Sequence, residues 1–282
     1  MPVNKTIILV FVLSAFQSKA TIFPSPQGPF TLGLGTISAF KTDPFVAYNH
    51  QGSLAFTKHN SISLGIQSQY FVEGLSMACF SGNYKISKTQ TFGIGYSYFG
   101  NQFYNEGLLK VSLAKKFSNN FGGGISLDYL RLQLPKESCR VKHLLTFEAG
   151  IYSKFSSDFE FALQLVNPAR VPLSGYDDER LPFVTNTSLF YNANKQLTIA
   201  AEWSQVMNGK GNLKVGLNYA LSSIFYISAG VYNKPINPAF GISYKGSKIN
   251  IHLAFAMHPY LNAISSGGIT YTPLIKRHGN DF

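Results

Sequence analysis

The chain has 282 residues and a formal net charge of +11, yet only 13% of its residues are charged, about half the usual share in soluble domains. Aromatic residues reach 15% and the mean hydropathy is +0.03, so polar and apolar residues are mixed evenly along the chain. This composition argues against a soluble globule with a charged coat. The basic residues are scattered singly, which argues against nucleic-acid binding. Attraction to anionic lipid headgroups, or a dispersed solvated surface, fits the charge better.

The first 20 residues have the three regions of a secretory signal. Lys5 gives a positive start, residues 7–16 are almost wholly apolar, and Ser18 and Ala20 place small side chains before a cleavage site. Ten apolar residues span only about 15 Å as a helix, roughly half of the bilayer core. We therefore expect residues 1–20 to be a cleaved signal peptide and not a permanent membrane helix.

Residues 21–59 form a second region, which contains four prolines and has weak periodicity. The region is long enough to fold back as a plug inside a barrel or to lie against the periplasmic mouth of one. A disordered leader is the alternative. Its apolar side chains argue against disorder, namely Phe40, Phe45, Val46, Tyr48, Leu54 and Phe56.

From Asn60 onward apolar and polar residues alternate with a period of two, as in Ile62, Leu64 and Ile66. The alternation predicts fourteen strands, near residues 60–70, 76–87, 90–100, 106–117, 121–134, 143–155, 158–166, 183–192, 196–206, 211–221, 224–233, 238–245, 248–257 and 264–272. This even number predicts an all-β transmembrane antiparallel up-and-down β-barrel over residues 60–272. A soluble β-sandwich also alternates, but its polar face would carry many more charges.

The connections between the predicted strands support the same topology. Every second one is short and polar, as at residues 118–120 and 246–247, whereas the intervening ones tend to be longer or richer in Pro and Gly, including 135–142 and especially 167–182. Short turns belong on the periplasmic side of such barrels and longer loops outside. Residues 273–282 follow the last strand as a tail.

Alternation also assigns charged side chains to the lumen. If one hairpin folds about residue 119 and another about residue 208, Lys110 lies opposite Asp128 and Glu202 lies opposite Lys214. Structural ion pairs are the favoured interpretation, and a selectivity filter is the alternative. The other lumenal candidates are Glu148, Glu160, Lys245 and His252.

No motif points to catalysis, to a cofactor or to a metal, because the histidines lack metal-ligand spacing and no nucleophile or nucleotide signature is present. The acidic run Asp177, Asp178 and Glu179 could supply oxygen ligands to Ca²⁺. A solvated loop tip with Arg180 as its counter-charge is the favoured interpretation. Cys79 and Cys139 are both expected towards the outer end, as two thiols or as one bridge.

The segment from Asp43 to Ala55 resembles an N-terminal signature of Bacteroidetes barrels similar to PorV and PorQ, a group that in turn resembles FadL. In that pattern, roughly D-x-x-A-x-x-x-N-x-[PQ]-A-G-L-A, the matches are Asn49, Gln51, Leu54 and Ala55, while Gly52-Ser53 replaces Ala-Gly. Two further matches are short, namely Asn167-Pro168-Ala169-Arg170 followed by Glu179-Arg180-Leu181-Pro182, and His258-Pro259.

The resemblance implies a fourteen-strand barrel of the bacterial outer membrane with an N-terminal segment entering the lumen. It implies transport of a hydrophobic solute, with a passage or lateral opening beside Gly- and Pro-containing strand ends, or an accessory role in type IX secretion. A non-conducting structural or partner-binding barrel with a filled lumen is the alternative. The expected partners are outer-membrane lipid and secretion-system or surface proteins.

Overall fold

The computed structural model describes residues 28–133, 141–173, 180–232 and 235–273. Within these ranges the chain forms fourteen strands that close into one antiparallel barrel. The strands are β1 (Ser61–Gln69), β2 (Ser76–Lys85), β3 (Gln90–Gly100), β4 (Asn105–Lys116), β5 (Phe121–Gln133), β6 (Val141–Lys154), β7 (Phe159–Val166), β8 (Val184–Asn192), β9 (Leu197–Val206), β10 (Asn212–Ala220), β11 (Phe225–Tyr232), β12 (Asn237–Lys245), β13 (Ile249–His258) and β14 (Asn262–Tyr271). The predicted signal segment and nearly all of the predicted tail lie outside the described residues.

Each strand pairs with its neighbours in sequence, and β1 closes the barrel on β14, with Leu64 opposite Ile269. The predicted up-and-down barrel is confirmed, and strand ends shift by only a few residues. For example, β6 begins at Val141 and β14 at Asn262, each two residues earlier than alternation predicts. Every strand pair is hydrogen-bonded, so the described wall has no lateral gap between neighbouring strands.

The outer surface of the barrel is apolar. On β1 the outward side chains of Ile62, Leu64 and Ile66 are 51%, 55% and 70% exposed, while the inward Ser63 is buried. The same division holds along β13, where Leu253 faces outward. A water-soluble protein would bury such side chains, whereas a barrel in hydrocarbon exposes them to lipid. Among the described residues, no helix is long and apolar enough to span a membrane.

We call the end of the barrel at which β1 begins and β14 ends the short-turn end. Connections of three or four residues lie there, between β2 and β3, β4 and β5, β6 and β7, β8 and β9, β10 and β11, and β12 and β13. A repeated side-chain device shapes these turns. The hydroxyl of Ser118 accepts hydrogen bonds from the backbone N–H groups two and three residues later, and so do the side-chain oxygens of Ser87, Ser156, Asn194 and Ser222. Local chemistry therefore helps to fix the register in five of the six hairpins at this end.

The opposite end, which we call the loop end, carries connections of mixed length. The connection from β3 to β4 is as short as the turns at the other end, whereas the one from β7 to β8 spans residues 167–183. The expectation of longer loops at this end is therefore met only by some connections. Residues 134–140 and 174–179 of the two longest ones lie outside the described residues.

Residues 28–59 occupy the lumen as a plug, which contains the short helices α1 (Pro29–Gly33), α2 (Val46–Asn49) and α3 (Gln51–Leu54). Helix α1 contacts β11–β14, α2 contacts β2–β4 and α3 contacts β4–β7. All residues of the three helices are buried. The apolar composition of this region thus serves packing inside the barrel, and the alternative of a disordered leader is wrong for the described part.

Candidate functional site

Glycines on the inner wall allow the plug to approach the barrel closely. A Cβ at Gly95 would lie 2.8 Å from the Tyr48 side chain, and one at Gly230 would lie 2.3 Å from the Leu34 carbonyl carbon. No side chain fits at either position unless the plug moves. Other inward-facing glycines have plug atoms as close neighbours in the same way, namely Gly65, Gly93, Gly122, Gly124, Gly150, Gly216, Gly241 and Gly268.

Asp43 organises the fold of the plug itself. Its Oδ1 accepts a hydrogen bond from the Phe45 backbone N–H at 2.9 Å, and its Oδ2 accepts from Thr31 Oγ1 at 2.9 Å and Asn49 Nδ2 at 2.5 Å. Burial raises the pKa of Asp43 to about 6, although these three donors act in the opposite direction. Asp43 and Asn49, two residues of the family-like segment, thus join α1 to α2.

His50 is the N-cap residue immediately before α3 and is completely buried. Its Nδ1 accepts a hydrogen bond from the Ser53 backbone N–H at 3.0 Å, and its Nε2 has no hydrogen-bond partner among the described residues. Burial lowers the pKa of His50 to about 4, so the ring is neutral near pH 7. The remaining matched residues of the segment pack on the wall, Leu54 against Gly93 and Ala55 against Gly122.

Lys110 forms its ion pair with Glu148 and not with the residue opposite it. The register places Lys110 directly across from Asp128, as predicted for a hairpin that folds about residue 119. However, Lys110 Nζ lies 2.7 Å from Glu148 Oε1 on the next strand. The predicted Lys110–Asp128 pair is therefore corrected. A lysine side chain is long enough to extend past the opposite position and reach across β5 to β6. Asp128 instead accepts from Ser126 Oγ at 2.7 Å, and its Oδ2 has no hydrogen-bond partner among the described residues.

Glu148 also holds the plug. Its Oε2 accepts from the side-chain amide of Gln51 at 2.7 Å and from that of Gln164 at 3.0 Å. Gln164 in turn donates to the Asn49 carbonyl at 2.9 Å. Gln51, a third residue of the family-like segment, therefore ties α3 to β6, while the Lys110 ammonium lies 4.5 Å above the ring centroid of Tyr48.

Glu202 is the second anchor. It lies opposite Lys214 in the register, and the two side chains form an ion pair of 2.7 Å. The other carboxylate oxygen accepts from the Ser38 backbone N–H and from Ser38 Oγ, both at 2.8 Å, and from Ser188 Oγ at 2.9 Å. Lys214 also donates to the Thr36 carbonyl at 2.9 Å. Both members of this ion pair thus bind the plug backbone.

The remaining lumenal candidates differ in their surroundings. Glu160 is buried, pairs with Lys41 of the plug and accepts from the Tyr152 hydroxyl. His252 is buried against the edge of the Phe30 ring, with the ring centroids 5.9 Å apart. Its Nδ1 lies 2.8 Å from Ser243 Oγ. Lys245 is exposed at the short-turn end, with its ammonium 5.9 Å from the Tyr226 ring centroid, and so does not join the buried set.

Above this polar layer, towards the loop end, the inner wall becomes apolar. Leu108, Leu130 and Leu132 point inward from β4 and β5 and form one buried cluster with Tyr48 of the plug. Two residues of the connection from β7 to β8 fold into the barrel and join the same cluster, namely Leu173 and Leu181. The lumen is therefore polar where it holds the plug and carries an apolar patch on the β4–β5 side of the loop end.

Asn167 turns that connection inward. Its φ of +51° lies in the left-handed region, which asparagine tolerates better than most residues. It accepts from Thr146 Oγ1 at 2.6 Å and donates to the Leu181 carbonyl at 2.7 Å.

The other residues that the sequence singled out in this connection are only partly described. Arg180 pairs with Pro172 through a single antiparallel β-bridge of the backbone. The acidic run Asp177, Asp178 and Glu179 lies outside the described residues, as does Cys139, the proposed partner of the buried Cys79.

Two recesses of about 560 and 530 Å³ lie on the lipid-facing side, across β13, β14, β1, β2 and β3. They form where outward positions are small, as at Ala78 and Gly267, between larger neighbours such as Phe255 and Tyr96. Among the described residues no group of three or more His, Cys, Asp or Glu side chains could hold a metal ion.

Sequence reasoning missed several residues of the hydrogen-bond networks that join the plug to the wall. Ser38, Gln164 and Ser188 are small or amide side chains that resemble any polar lumenal residue in the sequence. The one signal for them was their place on the polar phase of a strand, or, for Ser38, its place in the plug region. Their partners lie 164, 16 and 14 residues away along the chain.

No family model and no curated protein sequence matches the chain, so the likeness of residues 43–55 to PorV and PorQ stays a prediction. Among solved structures, the toluene transporter TodX of Pseudomonas putida superimposes with a TM-score of 0.64 at 10% identity, over 90% of this chain and 100% of that one. The toluene transporter TbuX of Ralstonia pickettii gives 0.61 at 14% identity, over 88% and 98%. A FadL homologue of Pseudomonas aeruginosa gives 0.60 at 11% identity, over 89% and 97%. At these identities the likeness is one of fold, and the chain has the fold of the FadL-like barrels.

Proposed function

We propose that the protein is an outer-membrane barrel that admits a small hydrophobic solute at its loop end and passes it only when the plug moves. The observation that carries the proposal is the apolar patch that Leu108, Leu130 and Leu132 form on the inner wall, on the loop-end side of the buried polar layer. A water-filled channel for polar solutes would need polar side chains at these positions. The fold shared with the toluene transporters TodX and TbuX supports a hydrophobic solute.

The buried charges act as anchors of the plug in this proposal. Glu148 and Glu202 are 1% and 0% exposed, and each accepts hydrogen bonds from the plug as well as from a lysine. A selectivity filter needs charges that face a water-filled path, so we favour structural ion pairs. The exposed apolar outer surface supports localisation in the outer membrane, with export by the predicted signal peptide.

Solute entry tests the proposal through two leucines of β5. Leu132 is inward and completely buried, whereas Leu127 faces outward and is 55% exposed. We expect L132N to reduce the initial rate of labelled toluene entry into intact cells at least fivefold, because the amide makes the entry wall polar. L127N is the matched control on the same strand and should leave the rate within twofold of the wild-type rate. Folding of each variant is checked by heat-modifiable gel mobility.

A non-conducting barrel with a filled lumen is the second candidate, because the plug leaves the described part of the lumen occupied. It predicts toluene entry at the same rate in cells that express the wild type, L132N or no barrel. That result would sink the transport proposal and favour a partner-binding role for the loop end. No contact in the described residues favours an accessory role in secretion over transport. The amounts of secreted proteins can be compared in the same cells with and without the barrel.

A further inference from the structure

The short-turn end of the lumen carries a cluster of lysines that is separate from the ion pairs of Glu148 and Glu202. Lys85, Lys116 and Lys154 are the last residues of β2, β4 and β6, and all three are on the inward-facing phase of their strands. Two lysines of the plug region, Lys41 and Lys58, complete the cluster. We call these five residues the lysine mouth.

Three of the five side chains lie at or beside one aromatic ring, that of Phe56, and the ammonium of Lys41 lies 6.0 Å from the ring centroid of the adjacent Tyr152. The ammonium of Lys154 lies 5.0 Å from the ring centroid of Phe56, and the ammonium of Lys116 lies 6.0 Å from the same centroid. Lys85 Nζ donates to the carbonyl of Thr57, the next residue along the plug, at 2.8 Å. Phe56 itself is half-buried. The mouth therefore presents an apolar floor with ammonium groups around it.

Positive charge in the lysine mouth is largely uncompensated. Lys41 pairs with Glu160, but Lys58, Lys85, Lys116 and Lys154 form no ion pair within the part of the chain that the structure describes. The ammonium of Lys154 is repelled by those of Lys41, Lys116 and Lys58, and the carboxylate of Glu160 offsets part of this repulsion. Charges within about 8 Å of one another are only partly screened at physiological ionic strength. An anion bound among them would relieve this repulsion.

We propose that the lysine mouth binds a phosphate-bearing anion with two or more negative charges. Lysine is a common phosphate ligand because its compact ammonium acts as a point charge that needs no fixed orientation. Several such charges in one place favour a multiply charged group over a single carboxylate. The phosphate comes either from a soluble compound at the periplasmic mouth or from the headgroup of a membrane lipid. This inference does not depend on the proposed transport of a hydrophobic solute.

The inward direction of the strand-end lysines separates this site from ordinary contact with lipid headgroups. Lys195 and Lys248 lie in turns at the same end of the barrel, are exposed, and have no part in the cluster. They carry the same charge at the same end of the molecule. They therefore provide a control for a general attraction between a basic protein and any anion.

The test is isothermal titration of the mature protein in a non-ionic detergent with inorganic pyrophosphate as the probe. We expect saturable binding of one pyrophosphate to the wild type, at least tenfold weaker binding to K116Q/K154Q, and binding within twofold of wild type for K195Q/K248Q. Both double variants remove two positive charges. Heat-modifiable gel mobility verifies that each barrel is folded.

A second arm distinguishes the two sources of phosphate. Dihexanoyl phosphatidic acid, used below its critical micelle concentration, is titrated under the same conditions. Tighter binding than pyrophosphate assigns the site to a lipid headgroup, and weaker binding assigns it to a soluble phosphate compound. Absence of saturable pyrophosphate binding to the wild type, or equal weakening in both double variants, overturns the proposal. Hexaglutamate binding tenfold tighter than pyrophosphate also overturns it, in favour of an acidic protein partner.

Discussion

Single buried carboxylates decide how the plug is held. Glu148 and Glu202 each face a lysine on one side and plug donors on the other, so their charge is shared between an ion pair and hydrogen bonds. Breaking one partner of such a buried pair typically costs about 3–5 kcal/mol, because the other charge is left uncompensated. Asp43 has no lysine partner among the described residues and accepts hydrogen bonds from neutral donors there. It is the carboxylate whose replacement can be interpreted most directly.

Asp43→Asn should loosen the plug. All three groups facing the Asp43 carboxylate are donors, and an asparagine would turn its own N–H₂ group towards one of them. We expect a loss of about 1–3 kcal/mol in the local stability of the plug, the typical cost of an unsatisfied buried polar group. The measurement is the rate of limited proteolysis within residues 28–59 of the detergent-solubilised barrel.

The matched control for this substitution is Asp158→Asn. Asp158 is an exposed turn residue whose carboxylate accepts from Ser157 Oγ at 2.7 Å. Its replacement should leave the proteolysis rate unchanged. Equal rates for the two variants would show that Asp43 does not organise the plug.

We expect His50 to make plug stability depend on pH. Its pKa in the folded protein is lowered from 6.5 to about 4, so its contribution is fully present above pH 6.5 and is lost as pH falls towards 4. The full effect is about 3 kcal/mol, the free-energy equivalent of this pKa change. Asp43 acts in the opposite sense, because its raised pKa makes its contribution largest at low pH and lost as pH rises through about 6.

His50→Asn isolates the histidine effect. Asparagine can still accept the Ser53 N–H at the start of α3 but does not titrate. Hydrogen exchange of the plug amides between pH 7 and pH 4.5 should show a larger loss of protection in the wild type than in the variant. Parallel pH profiles for the two proteins would exclude His50 as the titrating group.

At the scale of elements, the plug packs closely against the strands because glycines line the inner wall where the two meet. Gly95 and Gly230 lie where the plug touches the wall, and the helices of the plug are too short to be stable in isolation. The wall therefore supplies most of the stability of α1, α2 and α3. In return, the plug fills the space that the missing side chains leave.

Gly95→Val should displace the plug, because the added Cβ would lie 2.8 Å from Tyr48 and 3.1 Å from its backbone. We expect ion conductance in planar bilayers to rise from near zero to measurable openings. Gly267→Val is the matched control, since a Cβ at this outward-facing glycine meets only Leu253 at 3.5 Å. Silent traces from both folded variants would mean that the plug tolerates the side chain without opening the lumen.

At the scale of the whole molecule, the barrel wall and the plug have separate tasks. The wall closes on itself because β1 pairs with β14, and each described strand is hydrogen-bonded to both of its neighbours in the barrel. The plug occupies the lumen and joins opposite walls, with Ser38 bound to β9 and Gln51 bound to β6. Closing the barrel and closing the passage are therefore distinct properties of the molecule.

Deletion of residues 21–59 should convert a silent barrel into a conducting one. Single-channel recording of the refolded mature protein, with and without this segment, measures the change. Heat-modifiable gel mobility of both forms establishes that the wall is intact. If the deleted form is folded and still silent, the loop-end connections must close the lumen, and Leu173 and Leu181 are the residues to examine next.

The sequence alone determined the number of strands, which side chains of each strand face outward or into the lumen, and the pairing of Glu202 with Lys214. These features depend on a period of two and on turns whose side chains act on the next two or three residues, and both are local. The tertiary structure decided the rest. Lys110 pairs with Glu148 across an intervening strand, and Ser38 reaches a carboxylate 164 residues away. Such contacts depend on which residues of different strands and of the plug come together in the lumen. Alternation along one strand carries no information about the distances between such residues.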